Sequence, residues 1–226
     1  MSDKEIELKV TGDGSHTLFV PAINENYHSN YGAYAESVHV FIEMGLAYAA
    51  EKFKTVNIFE VGFGTGLNAI LSYEFAIKNS HPVNYTGIEK YPLTNEIISQ
   101  LNYAEHWKDK KLDEVFQLMH KEKWDSEIYL GSNFIFKKLN GSVLDYIFES
   151  SHYHLIFFDA FAPEKQPEMW TVELLSKLYN ALQPGGMLVT YCAKGQFKRD
   201  LKVVGFEVET LVGPPGKREM VRGVKK

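Results

Sequence analysis

The period of apolar positions changes several times along the chain. Near the start, Glu5-Ile6-Glu7-Leu8-Lys9-Val10 alternates polar and apolar residues, which is the period of a half-buried strand. Thr11-Gly12-Asp13-Gly14 is turn chemistry, and His16 to Val20 can return as the second strand of a hairpin. A polar, tyrosine-rich loop follows, Tyr27-His28-Ser29-Asn30-Tyr31-Gly32. From Glu36, the positions Val38, Phe41, Ile42, Leu46 and Tyr48 to Ala49 give a helical apolar stripe ending near Phe53.

Beyond this point strand and helix patterns alternate. Strands are expected at Val56–Val61, Asn84–Glu89, Phe134–Leu139, His154–Asp159, Met187–Cys192, Phe206–Leu211 and Lys217–Arg222. Helices fit Leu67–Lys78, Leu93–Asn102, Asp113–His120, Val143–Glu149, Thr171–Leu182 and Gln196–Val204, with Pro184-Gly185-Gly186 expected to stop one of them. This rhythm predicts an α/β, Rossmann-like fold: a seven-stranded, mostly parallel sheet with helices on both faces. Gly213-Pro214-Pro215-Gly216 leaves no room for a crossover helix, so the last two strands should form an antiparallel hairpin at the sheet edge. No repeat or long linker divides the chain, and the expected organisation is a small hairpin-and-loop extension over residues 1–35 followed by one domain over 36–226.

Composition narrows the function classes. At 226 residues, with 45% hydrophobic and 23% charged side chains, the chain can bury a full core. A lone cysteine, Cys192, excludes an intrachain disulfide framework and a multi-cysteine metal cage. No apolar run reaches the roughly 18 residues of a membrane span, and Met1-Ser2-Asp3-Lys4-Glu5 lacks the features of a signal peptide, so a cytoplasmic protein without membrane contact is expected. The net charge of −5 conceals an asymmetry. From Ala193 onward nine basic residues face four acidic ones, so this tail carries +5 and the remainder −10. Such a tail permits a nucleic-acid partner, and it is equally what a solvated helix face and a charged terminus would give.

Candidate chemistry gathers at the strand ends. Val56–Val61 runs into Gly62-Phe63-Gly64-Thr65-Gly66 and then a helix beginning Leu67-Asn68, so a ligand can lie against main-chain amides at a helix N-terminus. The spacing Gly-x-Gly-x-Gly is not that of the dinucleotide fingerprint, and the loop lacks the Gly-Lys-Ser/Thr ending of a nucleoside-triphosphate loop. Glu60, two residues before the loop, would crowd a pyrophosphate and suit a cationic ligand. Glu89, at the tip of the next strand, can take both hydroxyls of a ribose. Together Glu60, the three glycines, Glu89 and Pro184-Gly185-Gly186 resemble a class I S-adenosylmethionine-dependent methyltransferase, and the terminal hairpin strengthens the resemblance. The plainer reading makes Glu60 a surface acid and pairs Glu89 with Lys90.

The apolar run His154-Leu155-Ile156-Phe157-Phe158 ends in Asp159-Ala160-Phe161-Ala162-Pro163. Ligands in open α/β sheets bind beyond the carboxyl ends of strands, which puts Asp159 at the mouth of the cleft. Asp159 is a candidate to hold an acceptor nitrogen and Phe161 to stack on a base; otherwise Asp159 caps the following turn and Phe161 is core. An acid directly after five buried residues costs free energy unless it is paired or functional.

The whole set is similar to the methyltransferase part of the MnmC family of tRNA wobble-uridine modification proteins. The matching stretches are Tyr27-His28-Ser29 with Glu36, Glu60 through Asn68, Glu89-Lys90-Tyr91-Pro92-Leu93-Thr94, Asp159 through Pro163 with Pro167-Glu168-Met169-Trp170-Thr171, and Lys217-Arg218-Glu219-Met220. The resemblance implies a cytoplasmic enzyme that converts 5-aminomethyl-(2-thio)uridine to the 5-methylaminomethyl form in tRNA, with S-adenosylmethionine as methyl donor. By it Asp159 is catalytic, and Tyr27, Ser29, Glu60, Gly62, Phe63, Gly64, Thr65, Gly66, Asn68, Glu89 and Lys90 form the cofactor site. Phe161, Lys217 and Arg218 contact the substrate, the last two through RNA backbone. It implies no metal, no FAD in this chain and no obligate protein partner. The family's companion flavin oxidase is absent, so the expected acceptor is an already exposed amine. Where relatives often carry an acid at the end of the third strand, this chain has Gly141-Ser142, with Asp145 one turn on.

Other readings stay open. Cys192 invites comparison with pyrimidine-carbon methyltransferases, but only Lys194 stands near as a basic partner, and a small buried cysteine is the alternative. His152 and His154 alternate without a third metal ligand nearby. Tyr27 and Tyr31 either cover the cofactor or pack the loop onto the sheet. A methyltransferase acting on a different amine is one alternative function; a nicotinamide-dependent oxidoreductase would explain the glycine loop and Glu89 but not Glu60, and a non-catalytic RNA-binding module would leave Asp159 without purpose.

Overall fold

A computed structural model describes residues 6–107 and 110–226. The first residues, including Glu5 of the expected first strand and the stretch read for a signal peptide, lie outside the described residues.

The strands are β1 Glu7–Val10, β2 His16–Val20, β3 Glu25–Asn26, β4 Val56–Val61, β5 Val83–Glu89, β6 Glu127–Tyr129, β7 Phe134–Asn140, β8 Tyr153–Phe158, β9 Leu182–Thr190, β10 Glu207–Val212 and β11 Glu219–Val224. β1, β2 and β3 make a small antiparallel sheet. The other eight form one sheet in the order β10-β11-β9-β8-β4-β5-β7-β6. β9, β8, β4, β5 and β7 are mutually parallel; β10 and β11 form the expected antiparallel hairpin, and β6 is antiparallel to β7. The sheet thus has eight strands rather than seven. β6 went unread because it is only three residues long, at an edge, and too short to show a period.

β4 sits in the middle, and the chain leaves it in one direction to β5 and returns on the other side at β8. This reversal leaves a crevice at the carboxyl ends of β4, β5 and β8. Successive residues of the buried strands face opposite layers. Ile58, Leu155 and Phe157 join one core, and Phe59, Ile156 and Phe158 join the other. The first core is covered by α1 Ala33–Ser37, its π-helical continuation Val38–Ala47 and α2 Tyr48–Ala50, by α3 Leu67–Lys78, and by α5 Lys110–Lys121 beyond the single turn α4 Asn95–Ile98. The second is covered by α6 Val172–Ala181 and α7 Gly195–Val204. No helix among the described residues is long and apolar enough to cross a membrane.

Three expected elements differ, each for a local reason. Val143–Glu149 is not helical: Tyr146 and Phe148 both pack on Phe59 at two-residue spacing, and the Ser142 hydroxyl accepts from the Leu144 amide. The helix expected over Leu93–Asn102 shrinks to α4, because Asn102 is drawn off to the hairpin, accepting from His16 N and donating to the Gly14 carbonyl. Pro184-Gly185-Gly186 does not stop a helix. α6 has already ended at Ala181, and the triplet is a bulge within β9, where the register on β8 jumps from Tyr153↔Leu182 to Leu155↔Met187.

The hairpin turn caps the first helix. Residue 35 falls inside α1, whose exposed N-terminal amides would otherwise lack acceptors. Ser15 Oγ accepts from Ala33 N and Tyr34 N, both at 3.1 Å, and Asp13 Oδ2 accepts from Ala35 N at 2.9 Å. Asp13 Oδ1 also takes Ser15 N and the hydroxyls of Thr11 and Ser15. Burial alone would raise the Asp13 carboxyl, but these hydrogen bonds outweigh it and hold the group below its ordinary 3.8. A lowered carboxyl contributes stability above its unfolded pKa and loses it as pH falls through the folded value. Asp13→Ala should therefore destabilise the protein by about 2 kcal/mol at pH 7, the scale of charge-assisted hydrogen bonds. In thermal melts the gap to the parent should close below pH 3.8; a gap independent of pH would refute this account.

Candidate active site

Parallel pairing aligns three strand ends. Val61 is in register with Ile88 of β5 and with Phe158 of β8, so Gly62, Glu89 and Asp159 emerge side by side. Gly62 has φ +88°, and a Cβ there would lie 2.8 Å from the Asp159 carbonyl oxygen. Only glycine lets the β4 and β8 backbones separate at so short a distance. Gly62 N and Phe63 N both donate to the Ile88 carbonyl, which folds the loop back over β5 before α3 begins.

One amide joins two acids at the base of the crevice. Asn68 Nδ2, in the first turn of α3, donates to Glu60 Oε1 and to Asp159 Oδ2, each at 2.9 Å. Glu60 is fully buried and does not line the cleft; it lies behind Asn68. Burial pushes its carboxyl well above the ordinary range, with Asp159 and Glu89 adding to the rise and the Tyr85 phenol and Asn68 opposing it. Among the described residues, its Oε2 and the Asn68 Oδ1 have no hydrogen-bond partner within 3.5 Å. Asp159 is partly exposed, and burial followed by the Glu36 charge raises it to about 7, while Asn68 and Lys217 pull it down. Glu89 is held differently, accepting Gly64 N at 3.0 Å and Tyr91 N at 2.8 Å. Burial still leaves it above the ordinary carboxylate value.

Tyr27, Gly62 to Thr65, Asn68, Glu89, Lys90, Asp159 and Phe161 line a single cleft. Tyr27 meets Phe161 edge-on, with ring centroids 5.2 Å apart, so the N-terminal extension and the segment after β8 close over the same space. Gly66 stands behind the loop, against His120. Ser29 meets the site through its amide, which donates to Glu36. Lys217 turns inward to Glu36 rather than outward, and Arg218 is exposed. Most of the other tail cations are taken up within the fold: Lys194 pairs with Glu164, Lys198 with Glu219 and Arg222 with Glu209, and Lys225 binds two carbonyls. Cys192 is buried, and burial raises its thiol. His154 is occupied in accepting Asn57 N. Asp145 lies away from the cleft, whereas Ser142 lines it.

Several contributors were given no role by the sequence, although His28 and Glu36 fall in the stretches that carry the resemblance. His28, Lys165 and Gln166 line the cleft, and Tyr191 and Glu36 surround it. Gln166 fixes Phe161 by accepting its amide at 3.1 Å, and Trp170 donates to the Phe161 carbonyl at 2.8 Å.

Residues 104–226, more than half of the chain, match the S-adenosyl-L-methionine-dependent methyltransferase family. The chain belongs to this family. Among curated relatives, the tRNA 5-methylaminomethyl-2-thiouridine biosynthesis bifunctional protein MnmC of Pseudoalteromonas atlantica is 28% identical over 241 residues, spanning 99% of this chain and 34% of that protein. The protein of the same name from Leptospira interrogans is 31% identical over 210 residues, spanning 87% of this chain and 32% of that one. The methyltransferase thus spans about a third of the length of these relatives. The crystal structure of MnmC2 from Aquifex aeolicus superposes with a TM-score of 0.78 at 26% identity, covering 98% of this chain and 70% of that chain.

The methyltransferase cleft fits the family's methyl donor. The glycine turn would be filled by any Cβ at Gly62 or Gly64, Glu89 is fixed where a ribose can meet it, and the buried acids below favour a cationic centre. Among the described residues no group of three or more His, Cys, Asp or Glu is arranged to hold a metal ion.

The raised Asp159 carboxyl has a measurable cost. A group whose folded pKa exceeds its unfolded one binds protons more readily when folded, so stability falls as pH rises from 3.8 to about 7. Asp159→Asn should remove this loss. Without added ligand, its melting temperature should exceed that of the parent at pH 8, and the excess should shrink toward pH 4. A variant less stable than the parent at pH 8 would overturn the assignment.

Proposed function

We propose that this methyltransferase acts on the exocyclic aminomethyl nitrogen at carbon 5 of a wobble uridine in tRNA. The observation that carries the reading is the Asp159 carboxyl lining the cleft of a chain whose relatives over most of its length are MnmC proteins. S-adenosylmethionine, held by the glycine loop, Glu89 and the residues beside them, supplies an electrophilic methyl group. The chain's own residues then have two tasks: to bring the acceptor nitrogen in line at roughly 3 to 3.5 Å, and to present it unprotonated.

The second task falls to Asp159. An alkylamine has a pKa near 10 and arrives mostly as the ammonium form. The Asp159 carboxylate attracts that cation, and with its own pKa raised to about 7 it accepts a proton more readily than an ordinary carboxylate. Phe161, held by Gln166 and Trp170, offers its ring to the base. Arg218, exposed beside Lys217, is assigned to the RNA backbone, together with Lys90 at the cleft edge. With Lys217 turned inward, fewer phosphate contacts come from the tail than its charge alone suggests.

The test is mass spectrometry of nucleosides after incubating tRNA that bears 5-aminomethyl wobble uridine with the protein and isotope-labelled S-adenosylmethionine. The expected result is one labelled methyl on that nucleoside. Asp159→Ala should lower turnover by at least ~100-fold while donor binding persists, the scale of a lost proton-transfer group. Glu89→Ala should instead weaken donor binding. Donor binding with that nucleoside unlabelled would reject the acceptor.

A further inference from the structure

Lys217 and Glu36 are separated by 181 positions in the chain, yet they meet against Tyr191, whose hydroxyl bonds the residue after Asp159. Lys217 closes the turn between β10 and β11, its amide donating to the Pro214 carbonyl at 2.9 Å. Its Nζ donates to Glu36 Oε2 at 2.6 Å and lies 3.8 Å from the centroid of the Tyr191 ring. Glu36, on α1, is 5% exposed and uses its other oxygen to accept Ser29 N at 3.0 Å. Tyr191 in turn donates to the carbonyl of Ala160, the residue after Asp159, at 2.8 Å. An ion pair with one buried partner and one half-buried partner is weak evidence for stability, since desolvation and solvent screening offset the attraction. The pair's placement therefore asks for a reason at the site.

We propose that Lys217 and Glu36 are positioning residues that act on Asp159 with opposite sign, the ammonium favouring its carboxylate form for the acceptor nitrogen and the Glu36 carboxylate opposing it. This rests on the reading of Asp159 as the group that meets the acceptor amine. Burial and Glu36 raise the Asp159 carboxyl, and Lys217, with the Asn68 amide, lowers it. The remaining groups around it are displaced by burial or held by other partners. Glu60, beneath Asn68 on β4, is driven toward its neutral form; the phenols of Tyr85, Tyr103 and Tyr191 are all raised by burial; and His28 is held down at about 4. Glu89 acts on Glu60 and is anchored by Gly64 and Tyr91. Of the other cleft groups, Lys165 is tied to the Ile23 carbonyl and Glu168 is exposed.

The experiment measures the Asp159 titration directly, by carbon-13 NMR of carboxyl-labelled aspartate in the full chain, and the pH profile of kcat/KM with aminomethyl-bearing tRNA. Glu36→Gln should lower the Asp159 midpoint and Lys217→Met should raise it, each by ~1 pH unit. The acid limb of kcat/KM should follow in the same directions, and the double variant should return toward the parent. A merely structural ion pair would give the contrary result: both single variants melt lower and neither moves the midpoint, which overturns the proposal. Glu36→Gln keeps the side-chain shape and Lys217→Arg keeps the charge. Should Lys217→Met fail to fold, a lowered midpoint in the first and an unchanged one in the second support the pair, and any other combination rejects it. Midpoints that move apart while the tRNA stays unmethylated support the electrostatic coupling and reject the acceptor instead.

Discussion

The amide of Asn68 has two hydrogens, and each goes to a different carboxyl group. One binds Glu60 below and the other Asp159 above, at equal distance. Much of the site follows from this. Glu60 belongs to β4 and Asp159 follows β8, adjacent strands whose ends would repel one another if both acids were charged and unbridged. Asn68 can reach both only because Gly62 and Gly66 turn the chain at positive φ and start α3 directly above the gap. Loop, helix start and acid pair are thus one construction.

That construction places acids where water is scarce, and the resulting rise in their pKa values is the cost of folding an anionic site. Burial pushes Glu60 well above the ordinary range, and at Glu89 main-chain amides oppose the rise without cancelling it. The arrangement favours ligands that bring positive charge, because a sulfonium or an ammonium would relieve the repulsion that burial has concentrated. Ligand binding and folding stability are therefore opposed at Asp159, as is common where catalytic groups are held in unfavourable surroundings.

The sequence made the central sheet legible because its inner strands are continuous apolar runs and their loops carry glycine. Val56–Val61 and Leu67–Lys78 were read to the residue. Short elements were not: β6 and β3 hold three and two residues, too few to show a period. The region after Asn140 was misread because Val143, Leu144, Ile147 and Phe148 satisfy a helical apolar spacing, whereas in the fold Ile147 is exposed and Tyr146 and Phe148 pack together on Phe59. The site was legible where it depends on strand ends, as at Gly62, Glu89 and Asp159. It was not legible where it depends on contacts between distant segments. Nothing local to Tyr191 announces a neighbour of Asp159, Glu36 enters only through the resemblance and without a role, and the outward basic face that the tail charge permitted is not provided by Lys198, Arg222 and Lys225.

The three-stranded extension has a place in this chemistry as well as in the fold. Its turn caps α1 through Asp13 and Ser15, which fixes the helix that carries Glu36. Its loop brings Tyr27 against Phe161 and the Ser29 amide to Glu36. Through Tyr27 against Phe161, the extension closes one side of the cleft that Asp159 lines, and burial raises the Asp159 carboxyl. Residues that look like an appendage to the sheet therefore help to build the surroundings of Asp159.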